Sequence, residues 1–364
     1  MRYPAVAMPT RRFVPLAALT VLMAACGGSA APASSAPASA KPAVSGASAA
    51  SAKPAGSPAA GELTKMNIPF NAISVSQTAL YVAVDAGLFK KYGLDVSTEF
   101  IANSPQLIAA MSAGQINVAS AGQDAVINAN LNGSDIAIIA TGVEKVIFSI
   151  YGSSKLSKIE DLKGKKLGVT QLGASTDFVG RYVLRQAKLE PEKDVAILQM
   201  GGQPEIIAGL QGGSIDAGVL APPITTQARK AGFKQLADLA DYDLVFYQGP
   251  LDAKKSWLKE HPAEALNVVR GYLDGIATVN KDKQTAIQAI SKYTKLTDAE
   301  ALEEGYQAVV KSLPKVPLPK VDAIKTGLAE NKSPAAKTAD PASFIEPSLV
   351  DQLQKSGFID SLYK

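Results

Sequence analysis

Residues 79–96 read Ala79-Leu80-Tyr81-Val82-Ala83-Val84-Asp85-Ala86-Gly87-Leu88-Phe89-Lys90-Lys91-Tyr92-Gly93-Leu94-Asp95-Val96, and this stretch decides the fold. Leu80, Val82, Ala83, Ala86 and Leu88 fall at helical spacing over residues 78–89, and Gly87 marks the stop. Lys90-Lys91-Tyr92-Gly93 turns the chain, and residues 94–101 return to strand character. A short apolar segment at 65–70 and a turn region at 71–76 come before the helix. Strand, helix, strand is a βαβ unit, which demands a parallel pair covered by its crossover helix.

The same alternation continues outward. Residues 105–113 and 124–131 read as helices, and 116–119 and 136–140 as strands. A second set begins near Ser157, with strands expected at 167–170, 195–199 and 215–220 and helices at 178–187, 205–210 and 224–231. Two stretches look alike: Met111-Ser112-Ala113-Gly114-Gln115-Ile116-Asn117-Val118-Ala119 and Leu210-Gln211-Gly212-Gly213-Ser214-Ile215-Asp216-Ala217-Gly218. Each is a helix end, a glycine turn and a strand, so each lobe is expected to use the same step. Beyond residue 247 long amphipathic helices take over, at 262–280, 283–293 and 298–312, broken by Pro314, Pro317 and Pro319. The reading is an α/β chain with two mainly parallel sheets, covered on both faces, and C-terminal helices.

Charge divides the chain differently. Residues 1–61 hold no Asp or Glu and five of the 37 Lys and Arg. The remainder carries 32 basic and 33 acidic side chains, a formal charge of −1. A near-neutral body excludes an electrostatic nucleic-acid binder. One Cys and one His exclude an intrachain disulfide, a Cys/His zinc centre and a His-rich metal site. No cofactor or metal is expected. Arg2, Arg11 and Arg12 precede a 13-residue apolar run ending at Ala25, the pattern of a signal peptide rather than a membrane span. Leu22-Met23-Ala24-Ala25-Cys26-Gly27 resembles the bacterial lipobox, with Met23 where Leu is usual. That resemblance implies cleavage after residue 25 and a lipid on Cys26, tethering the chain to a membrane outside the cytoplasm. Residues 26–61 are almost entirely Ala, Ser, Pro and Gly, have little to bury, and read as a leash.

With these residues in view, the chain resembles the nitrate/sulfonate/taurine and thiamine-precursor substrate-binding proteins of ABC transporters. Residues 79–96 are similar to that family's opening, 111–121 to its step into a glycine loop, and 159–170 (IEDLKGKKLGVT) to its second-lobe start. Residues 210–223 and 344–359 also match, so the likeness covers about 65–360. Asn117 stands where the family's first-lobe step usually has Asp, and Pro222-Pro223 is a second departure. The resemblance implies a type II periplasmic binding fold: two α/β lobes, two crossing segments, and a small-molecule ligand in the cleft. Lobe one is expected at 62–150 plus 246–364, lobe two at 151–245, with crossings near 146–154 and 242–249. It also implies a membrane permease as partner and a monomer.

Ligands of open α/β sheets bind beyond the carboxyl ends of strands, near helix N-termini. That rule selects loops 71–77, 120–124, 171–177 and 221–225. The candidate ligand-binding residues are Ser74, Ser76, Gln77, Gly122, Gln123, Asp124, Ala174, Ser175, Thr176 and Pro222. Free N–H groups and hydroxyls at 173–176 suit an anionic or strongly polar group. Asp124 suits an amine, or serves only as a helix cap; Glu144 has the same ambiguity. Tyr151 and Tyr247 either cover a ligand or pack at the crossings. His261 before Pro262 reads as a helix start. Two rivals stand beside a transport component: a lipid-anchored sensory or adhesion module, and an enzyme on the same fold. Some thiamine-pyrimidine synthases resemble this family, but their activity goes with a Cys-rich motif and a His that this chain lacks at its cleft loops. No phosphate-binding loop, GxSxG elbow or HExxH motif is present.

Overall fold

The computed structural model describes residues 62–102 and 104–364. The expected signal peptide, the expected lipidation site Cys26 and the Ala/Ser/Pro/Gly segment lie outside the described residues. The strands are β1 (Thr64–Asn67), β2 (Leu94–Ser97), β3 (Val118–Ala119), β4 (Ile136–Ala140), β5 (Val143–Lys145), β6 (Ser149–Gly152), β7 (Lys166–Val169), β8 (Ala196–Gln199), β9 (Ala217–Leu220), β10 (Lys234–Asp238), β11 (Val245–Gln248) and β12 (Leu251–Lys254). The helices are α1 (Thr78–Asp85), α2 (Ser104–Ser112), α3 (Gln123–Leu131), α4 (Ser175–Gln186), α5 (Gln203–Gly212), α6 (Ile224–Lys230), α7 (Lys255–Glu260), α8 (Pro262–Lys281), α9 (Lys283–Thr294), α10 (Ala299–Ser312), α11 (Val321–Glu330), α12 (Ser348–Lys355) and α13 (Phe358–Ser361). The helix expected over 78–89 ends at Asp85 and resumes as a short 3-10 turn, Leu88–Tyr92.

Two sheets share one plan. In the second, the order is β8-β7-β9-β6-β10, with β7 parallel to β8 and β9, and β6 antiparallel to β9 and β10. In the first, β1 pairs with β2, and Phe70 just beyond β1 bridges in parallel to both Phe100 and Ser120. β12 then lies antiparallel between β3 and β4. The order is therefore β2-β1-β3-β12-β4. In each sheet four strands run one way, and one strand arriving from the far side of the chain is inserted against them. Strand direction is mainly parallel as the alternation implies, while every pair touching the inserted strand is antiparallel. The two similar stretches fall at the same place, on the step from α2 to β3 and from α5 to β9. Lys254 N donates to Asn117 O and Ser153 N donates to Asp216 O, both at 3.0 Å, so the inserted strands dock on them alike.

Inserting a strand from elsewhere requires the chain to cross between sheets twice. It does so at 141–148 and 239–250, and the crossings pair as the antiparallel ribbon β5–β11. Ile147 N donates to the buried Gln248 Oε1 at 3.0 Å, locking the ribbon. The first crossing lies earlier than the sequence implies, because residues 149–152 already pair in the second sheet. At the end of the return crossing Gly249 has φ +61, and a Cβ there would stand 2.5 Å from Ser76 O. Only glycine meets both demands.

The helices beyond β12 belong to the first sheet's side. β4 is buried at all five positions, and Ile345 bridges to Ile138 to cover its outer edge. α8 turns Val268, Val269, Tyr272, Leu273 and Ile276 inward and packs on α1. Each such aliphatic side chain stabilises the fold by about 1.5–3 kcal/mol.

Candidate functional site

Four loops follow the first and third strands of the two sheets, and these are the loops the sequence selects. After β3, Ala121 N donates to Asp252 Oδ2 on the inserted strand at 2.7 Å. Gly122 takes φ +93, and α3 begins at Gln123. Gln123 is fully buried; its Nε2 donates to Ala323 O at 2.9 Å and its Oε1 accepts from Tyr247 N at 3.1 Å. It therefore ties α11 and β11 to the start of α3, next to Asp124 in the helix's first turn.

Asp124 is 8% exposed. Ser175 Oγ, the first residue of α4 in the second lobe, donates to its Oδ1 at 2.6 Å. This bond crosses from one lobe to the other. Burial pushes the Asp124 carboxyl up to about 7; the Ser175 bond opposes that shift and nearby Asp177 adds to it. Behind it Asp252 is wholly buried, and burial raises its carboxyl well above the ordinary range despite the Ala121 bond. Asp252 Oδ1 has no hydrogen-bond partner among the described residues.

The second lobe answers with hydroxyls, backbone N–H groups and the Asp177–Arg181 ion pair. Ala174 is the extended N-cap of α4. The Thr176 hydroxyl turns back to its own loop, accepting from Thr170 N at 2.9 Å with the Thr170 hydroxyl 2.7 Å away. Gly173 N donates to Asp177 Oδ2 at 2.8 Å, and Arg181 Nε donates to Asp177 Oδ1 at 2.6 Å. After β9, Ala221 N donates to the Gln203 side chain at 2.9 Å. Pro222 is buried and joined to Pro223 by a cis peptide.

A cavity of about 220 Å³ opens where the two sets of loops meet. Its wall includes Asp124 and Asn128 of α3, Asp177, Phe178 and Arg181 of α4, Phe246 of β11, and Glu330 at the end of α11. Phe178 and Phe246 stack at 4.7 Å between ring centroids, giving it a flat apolar side. Of the ten candidates, the structure joins Gly122, Asp124 and Ser175 across the lobes. Ser74, Ser76 and Gln77 form a second buried cluster: Ser74 caps the turn at Ser76, and Ser120 Oγ donates to Gln77 Oε1 at 2.7 Å. Pro223 sits under α10 beside Val75.

Other sequence candidates take structural positions. Glu144 is held by Thr141 Oγ1 at 2.9 Å and burial raises its carboxyl. Tyr247 is buried, and its hydroxyl engages the Lys320 backbone. His261 precedes α8 and stacks on Trp257. Sequence reasoning misses Asp252 and the Phe178–Phe246 pair. Nothing in Leu251-Asp252-Ala253-Lys254 marks a central strand; only the insertion puts that carboxyl behind the cleft.

Two lobes of this order, two crossings and a cleft between strand ends define a periplasmic binding protein fold. Solved structures agree. A protein of Bordetella bronchiseptica RB50 has a TM-score of 0.69 at 20% identity, over 80% of this chain and 98% of that one. The periplasmic aliphatic sulphonate binding protein SsuA of Escherichia coli gives 0.62 at 19%, over 78% and 92%. The periplasmic nitrate-binding protein NrtA of Synechocystis PCC 6803 gives 0.66 at 14%, over 83% and 91%. The family model described as NMT1/THI5 like matches residues 74–286, more than half of the chain. The chain belongs to the NMT1/THI5-like family. Among curated relatives, a candidate binding protein of Brucella abortus strain 2308 is 29% identical over 164 residues, 44% of this chain. The match spans about half the length of that relative, 50%. YtlA of Bacillus subtilis, named as a candidate binding protein, is 22% identical over 251 residues, 67% of this chain and 75% of that one.

Proposed function

We propose that this chain is the solute-capturing component of an ABC importer. The observation that carries the reading is the Ser175–Asp124 bond beside the cavity: loops from both lobes converge on one space and touch across it. A solute held there gains contacts from both lobes only when they are together, so binding draws the population toward the closed form. The closed pair of lobes is then the shape a membrane permease reads. On this reading lobe one takes in residues 62–140 and 251–364 and lobe two 149–238, with the two crossings between them.

Within the site, Asp124 and Ser175 face the solute. Ser74, Ser76, Gln77 and Gly122 frame it on the first lobe, and Ala174, Thr176 and Pro222 on the second. Gln123 positions Asp124. The protein acts outside the cytoplasm as a monomer, held to the membrane by a lipid on Cys26 and free to range on the leash behind it. The function is capture and delivery, with no bond made or broken.

A thermal-shift screen tests this directly. Sulfonates, nitrate, aromatic acids, pyrimidines and polyamines are each offered at saturation. A true solute raises the midpoint by several degrees through mass action. Silence across the panel from a folded protein favours the sensory or adhesion module instead.

A further inference from the structure

The charges around the cavity do not balance evenly. Arg181 is shared between Asp177 and Glu192, with its Nη1 buried and without a hydrogen-bond partner among the described residues, and Glu330 is paired with Arg185. Lys332 stands exposed at the rim. Asp124 forms no ion pair with any described Lys, Arg or His; its side-chain partner is the neutral Ser175 hydroxyl. Asp252 behind it is a second carboxyl without a cation, and Tyr272 is the further titratable group close to Asp252. β11 contributes only Phe246 to the wall. A buried carboxyl facing a cavity without a counter-charge is unfavourable unless something brings that charge in.

We propose that the solute is an organic cation, a protonated amine carried on a flat or apolar body, received by Asp124 while Phe178 and Phe246 cover the body. This rests on the solute-capture reading above and specifies its ligand class. Ser175 completes the arrangement by orienting the Asp124 carboxylate from the opposite lobe. A bound ammonium converts the raised carboxyl to its ionised form, so capture releases a proton below about pH 7.

The test uses the full chain and matched probes: benzylamine, benzyl alcohol and benzoate; phenethylamine, phenethyl alcohol and phenylacetate; butylamine, butanol and butyrate. Within each set the amine is expected to shift the thermal midpoint most, and the acid least. Calorimetry on the best amine is expected to show affinity rising up to tenfold per pH unit below about 7, then levelling. Asp124→Asn should weaken that amine about 100-fold while keeping its midpoint at pH 5, which separates lost recognition from lost folding. Acids binding while amines stay silent overturns the inference and leaves solute capture standing. So does amine binding that survives Asp124→Asn unchanged or tightens as pH falls. No response from any of the nine probes, together with silence in the broad screen, removes the solute-capture reading itself.

Discussion

The two lobes repeat one sheet order but place different chemistry at matching points. On the inserted strands, Asp252 lies opposite Ala119 in the first lobe, and Tyr151 lies opposite Gly218 in the second. In the loops after the third strands, a buried carboxyl accepts the Ala121 N–H, whereas a neutral, partly exposed amide accepts the Ala221 N–H. The first lobe therefore carries unpaired acid toward the cleft, and the second carries hydroxyls, amide and the Asp177–Arg181 ion pair. Topology builds the cleft; the asymmetry between lobes gives it a sign. A ligand with charge at one end and neutral acceptors at the other matches such a pair of walls.

The largest expected departure follows from Asp124. Its carboxyl is raised when folded, so the folded chain holds that proton more tightly than the unfolded chain does. Stability is then highest at low pH, falls as pH rises from about 4 to about 7, and is level above that as far as this group is concerned. The rise caps the effect at about 4 kcal/mol. Asp124→Asn should remove this part of the slope and leave the part due to Asp252. Denaturant titrations of the ligand-free protein at pH 5 and pH 8 measure it: the variant gains on the parent more at pH 8 than at pH 5. Equal gains at both pH values would mean that Asp124 is not the titrating group.

Next come the two acceptors that hold the third-strand loops. Asp252→Ala leaves the Ala121 N–H buried without a partner and opens a hole in the first sheet, an expected loss of about 3 kcal/mol. Asp252→Asn keeps an acceptor and is expected to lose far less. Gln203→Ala in the second lobe leaves an N–H that water can reach, with a loss of about 1 kcal/mol or less. Chemical denaturation of the three variants ranks them. A Gln203 effect equal to that of Asp252→Ala would erase the contrast between the lobes. Gly249→Ala should fall between the two, at about 2 kcal/mol, because left-handed backbone and the Ser76 carbonyl both oppose a side chain there.

Much of this contrast is legible in the amino-acid sequence. Periodicity at 78–89, Ile136–Ala140 and 262–280 locates elements closely, because each buries one apolar face or a whole apolar run. The selected loops also contain the residues that meet, Asp124 and Ser175, since strand-to-helix loops of both lobes face one cleft. Three features are not legible there. Which strand is inserted depends on pairing between residues far apart in the chain, such as Asp252 with Ala119 and Tyr151 with Gly218, and local pattern says nothing about that. The role of Asp252 depends on that insertion. The stacking of Phe178 on Phe246 depends on how α4 of the second lobe meets the return crossing, while each ring alone reads as ordinary packing. Polar side chains also divide in ways spacing does not show: Gln123 and Thr176 bond to their own surroundings, whereas Ser175 reaches across.

The smallest expected effect probes that reach. Besides the Ser175–Asp124 bond, the described residues join the lobes through Asn128 with Gly173, Gln171 with Ala102, Arg185 with Glu330, Lys230 with Asp298, and Thr225, Thr226 and Arg229 with Glu304. Arg229 is 42% exposed, so its pairing is screened by water and salt and adds little. Ser175 differs because its partner is buried. Ser175→Ala should reduce unfolding stability by only about 1 kcal/mol, but it removes the short bond that joins the lobes at the cavity through a buried carboxyl, beside the longer Asn128 Nδ2–Gly173 O contact at 3.5 Å. Its signature is in shape rather than stability. Small-angle scattering of the ligand-free variant should show a larger radius of gyration than the parent, and a saturating ligand should restore the compact value. Glu304→Gln, at the exposed margin, should change the radius less. If the margin variant opens the molecule more than Ser175→Ala does, closure is governed by the rim, and the acid in the first lobe serves recognition alone.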